Sequence, residues 1–294
     1  MHDRSVRTTL IVNPYASRVD DAIADQVARA VGAVDVLRTE RRGHAVELAA
    51  AVETEAVVVF SGDGGFNEVL NGLPPGVAVG FVPGGGTSVL PRALGLPREP
   101  LAAARAIAAG RTRRISLGRA NGRRFGFSAG VGLDAELIRR LDARGRDESG
   151  KRPGDLAFVT TALRTLAEQR GRFDPVLELV GHGRAAFALV GNVDPYTYAG
   201  RLPLHVTPHV TLEGGLDAVA PRRVRARTLP QLAAHLVTGR GHARARSLIY
   251  VRDFDRLEIR CDLPQPLQLD GEDLGDVDEV VLGSERNAVD VFVP

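Results

Sequence analysis

Several residue types are nearly absent from the 294-residue chain, which has one cysteine, one methionine, a single lysine at Lys151 and no tryptophan. Because Cys261 has no second cysteine to pair with, a disulfide-stabilised secreted scaffold is excluded and a reducing compartment is favoured. No run of about eighteen uncharged apolar residues occurs that could span a bilayer. The first residues also lack the apolar core of a signal peptide, so we expect a cytoplasmic protein.

The composition that remains is that of a soluble globular protein. Hydrophobic residues make up 44% of the chain and charged residues 25%, which argues against a long disordered or collagen-like chain. A chain of this length is long enough to form two domains, each with a core of its own. No internal repeat or low-complexity linker interrupts it.

Basic residues are unevenly distributed, although the formal net charge is only +2. No acidic residue lies from Ala218 to Arg252, whereas the following arginines do: Arg222, Arg223, Arg225, Arg227, Arg240, Arg244, Arg246 and Arg252. Such a run faces anionic lipid, nucleic acid or only solvent, and each basic residue near an anionic bilayer contributes about 1 kcal/mol to binding. We favour peripheral contact with an anionic membrane surface and expect no nucleic-acid partner.

The first part of the chain alternates short apolar runs with amphipathic helical segments. Strands are predicted at Thr9–Val12, Val34–Leu37, Ala56–Phe60 and Val77–Val82. Helices are predicted at Asp20–Val31, His44–Val52, Phe66–Leu70 and Leu101–Ala109. This alternation is typical of a parallel sheet covered by helices. Glycine loops at residues 62–65 and 84–86 follow two of the strands, and ligands of such sheets bind beyond the carboxyl ends, so we expect both loops to line one site.

The second part of the chain is predicted to be rich in antiparallel strands. Strands are expected at Arg113–Leu117, Arg124–Phe127, Val176–Val180 and Ala185–Val190. Turn sequences at Asn121-Gly122 and at residues 181–183 indicate hairpins between them. One helix is predicted at Gly154–Arg170. A domain boundary therefore falls within residues 111–118, and periodicity alone does not assign the last strand, Ala288–Val293, to either domain.

The glycine loop at residues 61–68 has features of a phosphate site. Gly62 and Gly64 allow backbone N–H groups to approach a polyphosphate closely, and the N-terminus of a following helix favours negative charge. A carboxylate at Asp63 beside phosphates is explained if it holds Mg²⁺, which uses few protein carboxylates. A Gly-Asp-Gly triplet by itself also makes ordinary turns.

The longer run from Ser61 to Gly72 resembles the signature of the diacylglycerol kinase catalytic family, which usually reads Gly-Gly-Asp-Gly-Thr-x-Asn-Glu-Val-x-Asn-Gly. Further segments follow in the order found in that family, which is related to sphingosine kinases. They are Ile11–Pro14, Thr39 with residues 43–45, residues 81–86 with residues 92–97, Ser128–Glu136, and Leu269–Glu272. The resemblance covers nearly the whole chain.

The resemblance implies an α/β fold with a β-rich addition. A nucleotide-binding parallel-sheet domain like that of NAD kinases and phosphofructokinases would span residues 1–115 and be completed by residues 284–294. A lipid-binding antiparallel domain, similar to a β-sandwich, would span residues 116–283. The lipid would bind between the two domains.

The resemblance also implies the roles of individual residues. Glu272 would be the general base that takes the proton of the lipid hydroxyl, and Asp63 would hold Mg²⁺ with ATP or assist that base. The residues expected to bind ATP are Asn13, Pro14, Thr39, Gly62, Asp63, Gly64, Gly65, Asn67, Glu68, Gly85, Gly86 and Thr87. Asp217 and Glu213 would hold a structural Mg²⁺. From the residues alone, the preferred interpretation of Asp270-Gly271 is an ordinary hairpin turn with an exposed Glu272.

The function that follows is an ATP- and Mg²⁺-dependent lipid kinase at the membrane surface. Diacylglycerol is the default substrate, and a sphingoid base, a polyprenyl lipid or another glycerolipid remains open, as does a homodimer. Gly65 replaces the usual threonine, and Ser88-Val89 replaces the usual Asn-Asp, which leaves a binding protein without turnover as an alternative. NAD kinase is a second alternative, although NAD kinases carry their Asn-Glu pair in a separate downstream segment.

Overall fold

The computed structural model describes residues 6–143, 145 and 155–294 of the chain. The chain divides into two compact units, Met1–Ile115 with Asn287–Pro294 and Ser116–Arg286. The sequence places a boundary at residue 115/116 and a return to the first domain at residue 284. No helix among the described residues is both long and apolar enough to cross a membrane.

The first unit is a parallel sheet with helices between its strands. Its strands are β1 (Thr8–Val12), β2 (Ala33–Arg38), β3 (Ala56–Ser61) and β4 (Ala78–Pro83), and β5 (Thr112–Ala120) begins at its end. Its helices are α1 (Asp21–Val31), α2 (His44–Ala50), α3 (Asp63–Gly72), α4 (Val89–Ala93) and α5 (Pro100–Ala108). The strand order is β4, β3, β1, β2, and every neighbouring pair is parallel.

The burial of each strand agrees with its position in the sheet. Every residue of β1 and β3 is buried, as expected for central strands of a parallel sheet that is covered on both faces. At the edge of the sheet, β2 has exposed or half-buried residues throughout. Helix α1 begins at a side-chain cap, because the Asp20 carboxylate accepts a hydrogen bond from the N–H of Ile23, and it ends at Gly32 with φ of 64°.

The second unit contains mostly short antiparallel strands. They are β6 (Arg123–Phe125), β7 (Ser128–Val131), β8 (Leu177–Leu179), β9 (Gly183–Ala185), β10 (Ala188–Gly191), β11 (Thr197–Ala199), β12 (Leu202–Leu204), β13 (Leu216–Pro221), β14 (Leu248–Phe254), β15 (Arg256–Leu269) and β16 (Glu272–Phe292). The helices are α6 (Leu133–Asp142), α7 (Asp155–Glu168) and α8 (Leu229–Thr238), with short 3₁₀ turns at Ala226–Thr228 and His242–Arg244.

The main sheet of this unit has the order β14, β13, β10, β7, β15, β16, and each neighbouring pair is antiparallel. Its core consists of the inward-facing apolar residues of these strands, including Val131, Leu267 and Leu269. The far end of β16 pairs in parallel with β4 of the first unit's sheet through Val291 and Val79. The structure thus confirms the predicted fold class, an α/β parallel sheet plus a unit rich in antiparallel strands.

Two predicted elements were wrong in detail. The segment Ala185–Val190 is not one strand, because β9 pairs with β8 whereas β10 pairs with β7 and β13, and the chain changes neighbours at Ala186-Phe187. Helix α3 begins at Asp63 rather than near Phe66, so the second half of the glycine run is the first turn of a helix. The predicted helix Gly154–Arg170 is present as α7, and Gly154 itself lies outside the described residues.

Candidate functional site

The phosphate-type motif lies where β3 ends and α3 begins. Gly62 is the N-cap of α3 in an extended conformation, and Asp63 is the first helical residue. A carboxylate in this position is favourable to the helix dipole, and its Oδ1 accepts a hydrogen bond of 2.8 Å from the N–H of Val89. Asp63 therefore connects the first glycine segment to the start of α4, which follows the second glycine segment.

The two glycine segments contact each other through their backbones. A Cβ atom on Gly85 would lie 2.9 Å from Cα of Gly62, so a side chain at position 85 would displace the backbone. The N–H of Gly84 donates to the carbonyl of Ser61 at 2.7 Å. The glycine at position 85 is therefore required by close packing of the backbone, and both segments follow the carboxyl ends of adjacent strands, β3 and β4.

A hydroxyl at Ser61 explains the absence of a side chain at Gly65. A Cβ atom on Gly65 would lie 2.1 Å from Oγ and 2.7 Å from Cβ of Ser61. The Ser61 side chain is buried, and its Oγ accepts a hydrogen bond of 3.2 Å from Nδ2 of Asn13 at the end of β1. Where the family usually has glycine and threonine at these two positions, this chain has serine and glycine, and the serine occupies the space.

Glu68 binds backbone amides within the first unit. Its two carboxylate oxygens accept hydrogen bonds from the N–H of Gly43 at 2.8 Å and of Ala45 at 3.1 Å. These donors belong to the N-terminus of α2, whose N-cap Gly43 has no side chain to satisfy them. Glu68, which lies on α3, thus caps the N-terminus of α2. This contact was not predicted, because Glu68 was expected to bind ATP.

The other residues predicted to bind ATP have different environments. Asn67 is completely buried in α3, and its carbonyl accepts from the Asn71 amide. Thr39 is buried where its N–H donates to the carbonyl of Val12. Gly86 is exposed after β4. Pro14 after β1 is also exposed, and the remaining predicted positions, Gly64 in the first turn of α3 and Thr87 before α4, are half-buried. The structure brings Asn13, Gly62, Asp63, Gly65 and Gly85 into one connected set.

The second candidate motif forms the turn between β15 and β16. Asp270 and Gly271 have φ of 50° and 78°, as in a two-residue hairpin turn, and Leu269 pairs with Glu272. The buried Asp270 carboxylate accepts hydrogen bonds from three backbone N–H groups, those of Gly126 at 2.6 Å, Phe127 at 2.9 Å and Ser128 at 3.0 Å. These bonds fix the turn to the segment between β6 and β7.

Glu272 is buried rather than exposed. Only 6% of the residue is accessible, and its Oε2 lies 3.2 Å from Nη2 of Arg123 on β6. The interpretation of Glu272 as an exposed turn residue was therefore wrong, whereas the hairpin turn itself is present. The ion pair with Arg123 and the hairpin turn hold this buried carboxylate in one orientation.

A polar network lies beneath this turn. Gln268 donates from Nε2 to Oδ2 of Asp134 at 2.7 Å and to the hydroxyl of Tyr196 at 3.1 Å, while its Oε1 accepts from the N–H of Gly271 at 2.9 Å. The Tyr196 hydroxyl also donates to Asp134 at 2.8 Å. Burial raises the pKa of Asp134 above its ordinary value, and the bonds from Tyr196 and Gln268 oppose this shift. Burial, with the Asp134 charge, raises the pKa of Tyr196 well above its ordinary value.

Protein groups form hydrogen bonds and an ion pair around the residues predicted to hold a structural Mg²⁺. The carboxylate of Asp217 accepts from the Tyr250 hydroxyl at 2.8 Å and from the N–H of Asp253 at 2.7 Å. The N–H of Gly215, in the same loop as Glu213, donates to the Asp253 carboxylate, which also pairs with Arg286 at 3.0 Å. Across residues 6–143, 145 and 155–294, no group of three or more His, Cys, Asp or Glu side chains is placed to hold a metal ion. The Mg²⁺ assignment to Asp217 and Glu213 stays a prediction.

The residues that hold these motifs in place could not be predicted from the sequence. Arg123, Gln268 and Tyr196 had no signal in a single sequence, because their partners are far away along the chain. The contact between Asn13 and Ser61 could have been inferred, since both residues follow neighbouring strands of one parallel sheet.

Known proteins resemble this chain over all or part of its length. Residues 7–120 match the model of the diacylglycerol kinase catalytic domain. A diacylglycerol kinase from Bacillus subtilis (strain 168) is 26% identical over 247 residues, which are 78% of this chain and 75% of that protein. A crystal structure of a diacylglycerol kinase from Bacillus anthracis str. Sterne has a TM-score of 0.72 at 18% identity and covers 99% of this chain and 98% of that chain. An NAD kinase from Archaeoglobus fulgidus, solved in complex with ATP, has a TM-score of 0.51 at 12% identity, with 97% and 93% coverage.

The match over residues 7–120 and the similarity to a diacylglycerol kinase support the class of protein: a kinase, an enzyme that phosphorylates a hydroxyl group. The family that the signature at Ser61–Gly72 resembles is also the one whose catalytic-domain model matches residues 7–120.

Proposed function

We propose that this enzyme is an ATP- and Mg²⁺-dependent lipid kinase that phosphorylates a membrane lipid, with diacylglycerol as its expected substrate. The observation that supports this most directly is the environment of Glu272. Its carboxylate is buried, pairs with Arg123, and follows a turn that Asp270 fixes through three backbone bonds. A turn residue without a function would not need a buried, paired carboxylate on a turn that is fixed by three hydrogen bonds.

Glu272 would act as the general base in this reaction. It accepts the proton of the lipid hydroxyl as that oxygen forms a bond to the γ-phosphorus of ATP, and the bond from phosphorus to the bridging oxygen breaks to release ADP. Phosphoryl transfer depends mainly on alignment and charge neutralisation, so one carboxylate at the hydroxyl is sufficient base catalysis. Arg123 is then a positioning residue that keeps the carboxylate in one orientation.

The first unit would bind the nucleotide. The amides at the N-terminus of α3 and the close-packed glycines favour phosphate oxygens, and Asp63 is the acidic residue in that turn. Mg²⁺ that arrives with ATP needs only one or two protein carboxylates besides the phosphates, so Asp63 fits as its ligand. Such an ion neutralises phosphate charge. The packing of Ser61 against Gly65 accounts for the unusual residue at position 65.

The proposal is tested by incubating the protein with radiolabelled ATP, Mg²⁺ and vesicles that contain diacylglycerol, monoacylglycerol or a sphingoid base. We expect a labelled lipid with diacylglycerol, and we expect the Asp63→Asn variant to lose it. Asp25→Asn, an exposed position on α1, is the matched control and should keep full activity. The proposal fails if no lipid is labelled. NAD in a parallel reaction separates the alternatives, because its phosphorylation identifies an NAD kinase, and ATP binding without any labelled acceptor identifies a binding protein.

A further inference from the structure

Helix α8 has an unusual outer face for a helix at a protein surface. Its inner face packs into the unit through Leu229, Leu232 and Leu236. Its outer face carries no charged residue. Its exposed residues are Pro230, Ala233, Ala234 and Val237, together with the uncharged polar Gln231 and Thr238. Val237 is 47% exposed. An exposed helix face normally carries charged or polar side chains.

Exposed arginines flank both ends of this helix. Arg222, Arg223 and Arg227 precede α8, and Arg240, Arg244 and Arg246 follow it. Asp174 pairs with Arg223 at 3.5 Å and with Arg225 at 2.6 Å. Among the described residues, Arg227, Arg240 and Arg244 form no ion pair, so their charge is available to a partner. We call α8 and the six exposed arginines the α8 surface.

We propose that the α8 surface is the element that docks on an anionic bilayer, with the outer face of α8 in the interfacial region and the arginines at the lipid phosphates. This inference rests on the proposed function, because a kinase that acts on a membrane lipid must reach it at the bilayer surface. Helices that lie in the interface combine an apolar face with flanking basic residues, and their affinity depends on both.

The arrangement fits a bilayer better than a nucleic acid. A protein that binds a nucleic acid places cations and polar groups along the contacting element, where they reach phosphates and bases. On α8 the contacting element carries no charged side chain and is mostly apolar, and the cations lie at its two ends. An apolar centre with basic ends matches the acyl boundary and the phosphate layer of a bilayer.

The test is flotation of the full chain with neutral phosphatidylcholine vesicles and with vesicles that contain phosphatidylglycerol. We expect binding to the anionic vesicles, a loss of about 25-fold for the double variant Arg240→Gln and Arg244→Gln at about fivefold per arginine, and a comparable loss for Val237→Glu. The controls are Arg29→Gln with Arg105→Gln, and Val34→Glu, which change exposed residues of the first unit in the same way. These should bind as the unchanged protein does.

Activity towards a water-soluble, short-chain diacylglycerol separates docking from chemistry. We expect all variants to keep this activity, which would also show that they fold. The inference is overturned if the α8 variants bind anionic vesicles as well as the controls do. It is also overturned if they instead lose binding to duplex DNA, or lose a dimer in sedimentation velocity. If the soluble substrate is not phosphorylated by the unchanged protein, the proposed function fails, and the vesicle result still stands by itself.

Discussion

The packing of Ser61 against Gly65 predicts that these two positions are energetically coupled. In Gly65→Thr, the new Cβ atom would lie 2.1 Å from Oγ of Ser61, which is far below a normal contact. Because Ser61 is only 1% exposed, its side chain cannot move into solvent. Overpacking costs about 1–3 kcal/mol, and the lost bond from Asn13 to Ser61 adds about 1 kcal/mol. We therefore expect Gly65→Thr to destabilise the first unit by roughly 2–4 kcal/mol.

Gly65→Thr should lower the free energy of unfolding much less when Ser61 is absent. In a Ser61→Gly background the obstructing atoms are gone, and Gly65→Thr should then cost under about 1 kcal/mol, because the glycine is in a helix where other residues are tolerated. The four proteins of this double-mutant cycle are compared by urea unfolding and by ATP binding. We expect a coupling free energy of about 2–3 kcal/mol and ATP binding by the double variant.

Gly86→Thr is the steric control for this cycle. A Cβ atom on Gly86 would meet nothing within 4 Å, so this variant should be as stable as the unchanged protein. Additive costs of Ser61→Gly and Gly65→Thr, or a Gly65→Thr variant of unchanged stability, would refute the steric reasoning.

Three further predictions concern other buried groups. Glu68→Gln should destabilise the first unit by about 2–3 kcal/mol, because one amide of the α2 N-terminus loses a charged acceptor, whereas the exposed Glu47→Gln on the same helix should not change urea unfolding measurably. Because burial raises the pKa of Asp134 above 3.8, the folded state binds a proton that the unfolded chain has released, and its stability falls as pH rises through that folded pKa. Asp134→Asn should remove this fall, and equal pH profiles of unfolding would contradict it. Burial raises the pKa of Cys261 to about 11, so iodoacetamide at pH 8 should label the folded protein far more slowly than the unfolded one, and equal rates would contradict this.

The sequence predicts the sheet of the first unit because its signal is local. The strands are short apolar runs, as in Ala56–Ser61, and glycine follows two of them where the backbone must approach closely. The start of α3 was misplaced because glycines at its first turn weaken the helical pattern, although Asp63 is favourable there.

Contacts between distant residues limit what can be predicted about the site. The pair of Arg123 and Glu272 is separated by 149 positions, and the bonds from Asp270 to residues 126–128 by 142–144 positions. Periodicity and turn signals describe neighbours along the chain and contain no information on such pairs. The hairpin turn at Asp270-Gly271 was readable from sequence for the opposite reason, because two adjacent residues with positive φ favour Asp-Gly.

The role of Glu272 is the central claim about this enzyme, and single-turnover transfer of radiolabel from ATP to diacylglycerol tests it most directly. Glu272→Gln keeps the volume of the side chain and removes its ability to accept a proton, and Glu279→Gln, at an exposed position of β16, is the matched control. We predict that Glu272→Gln lowers the transfer rate by about 10²–10⁴-fold while the control transfers normally. A Glu272→Gln variant that transfers phosphate at the rate of the control would contradict the account.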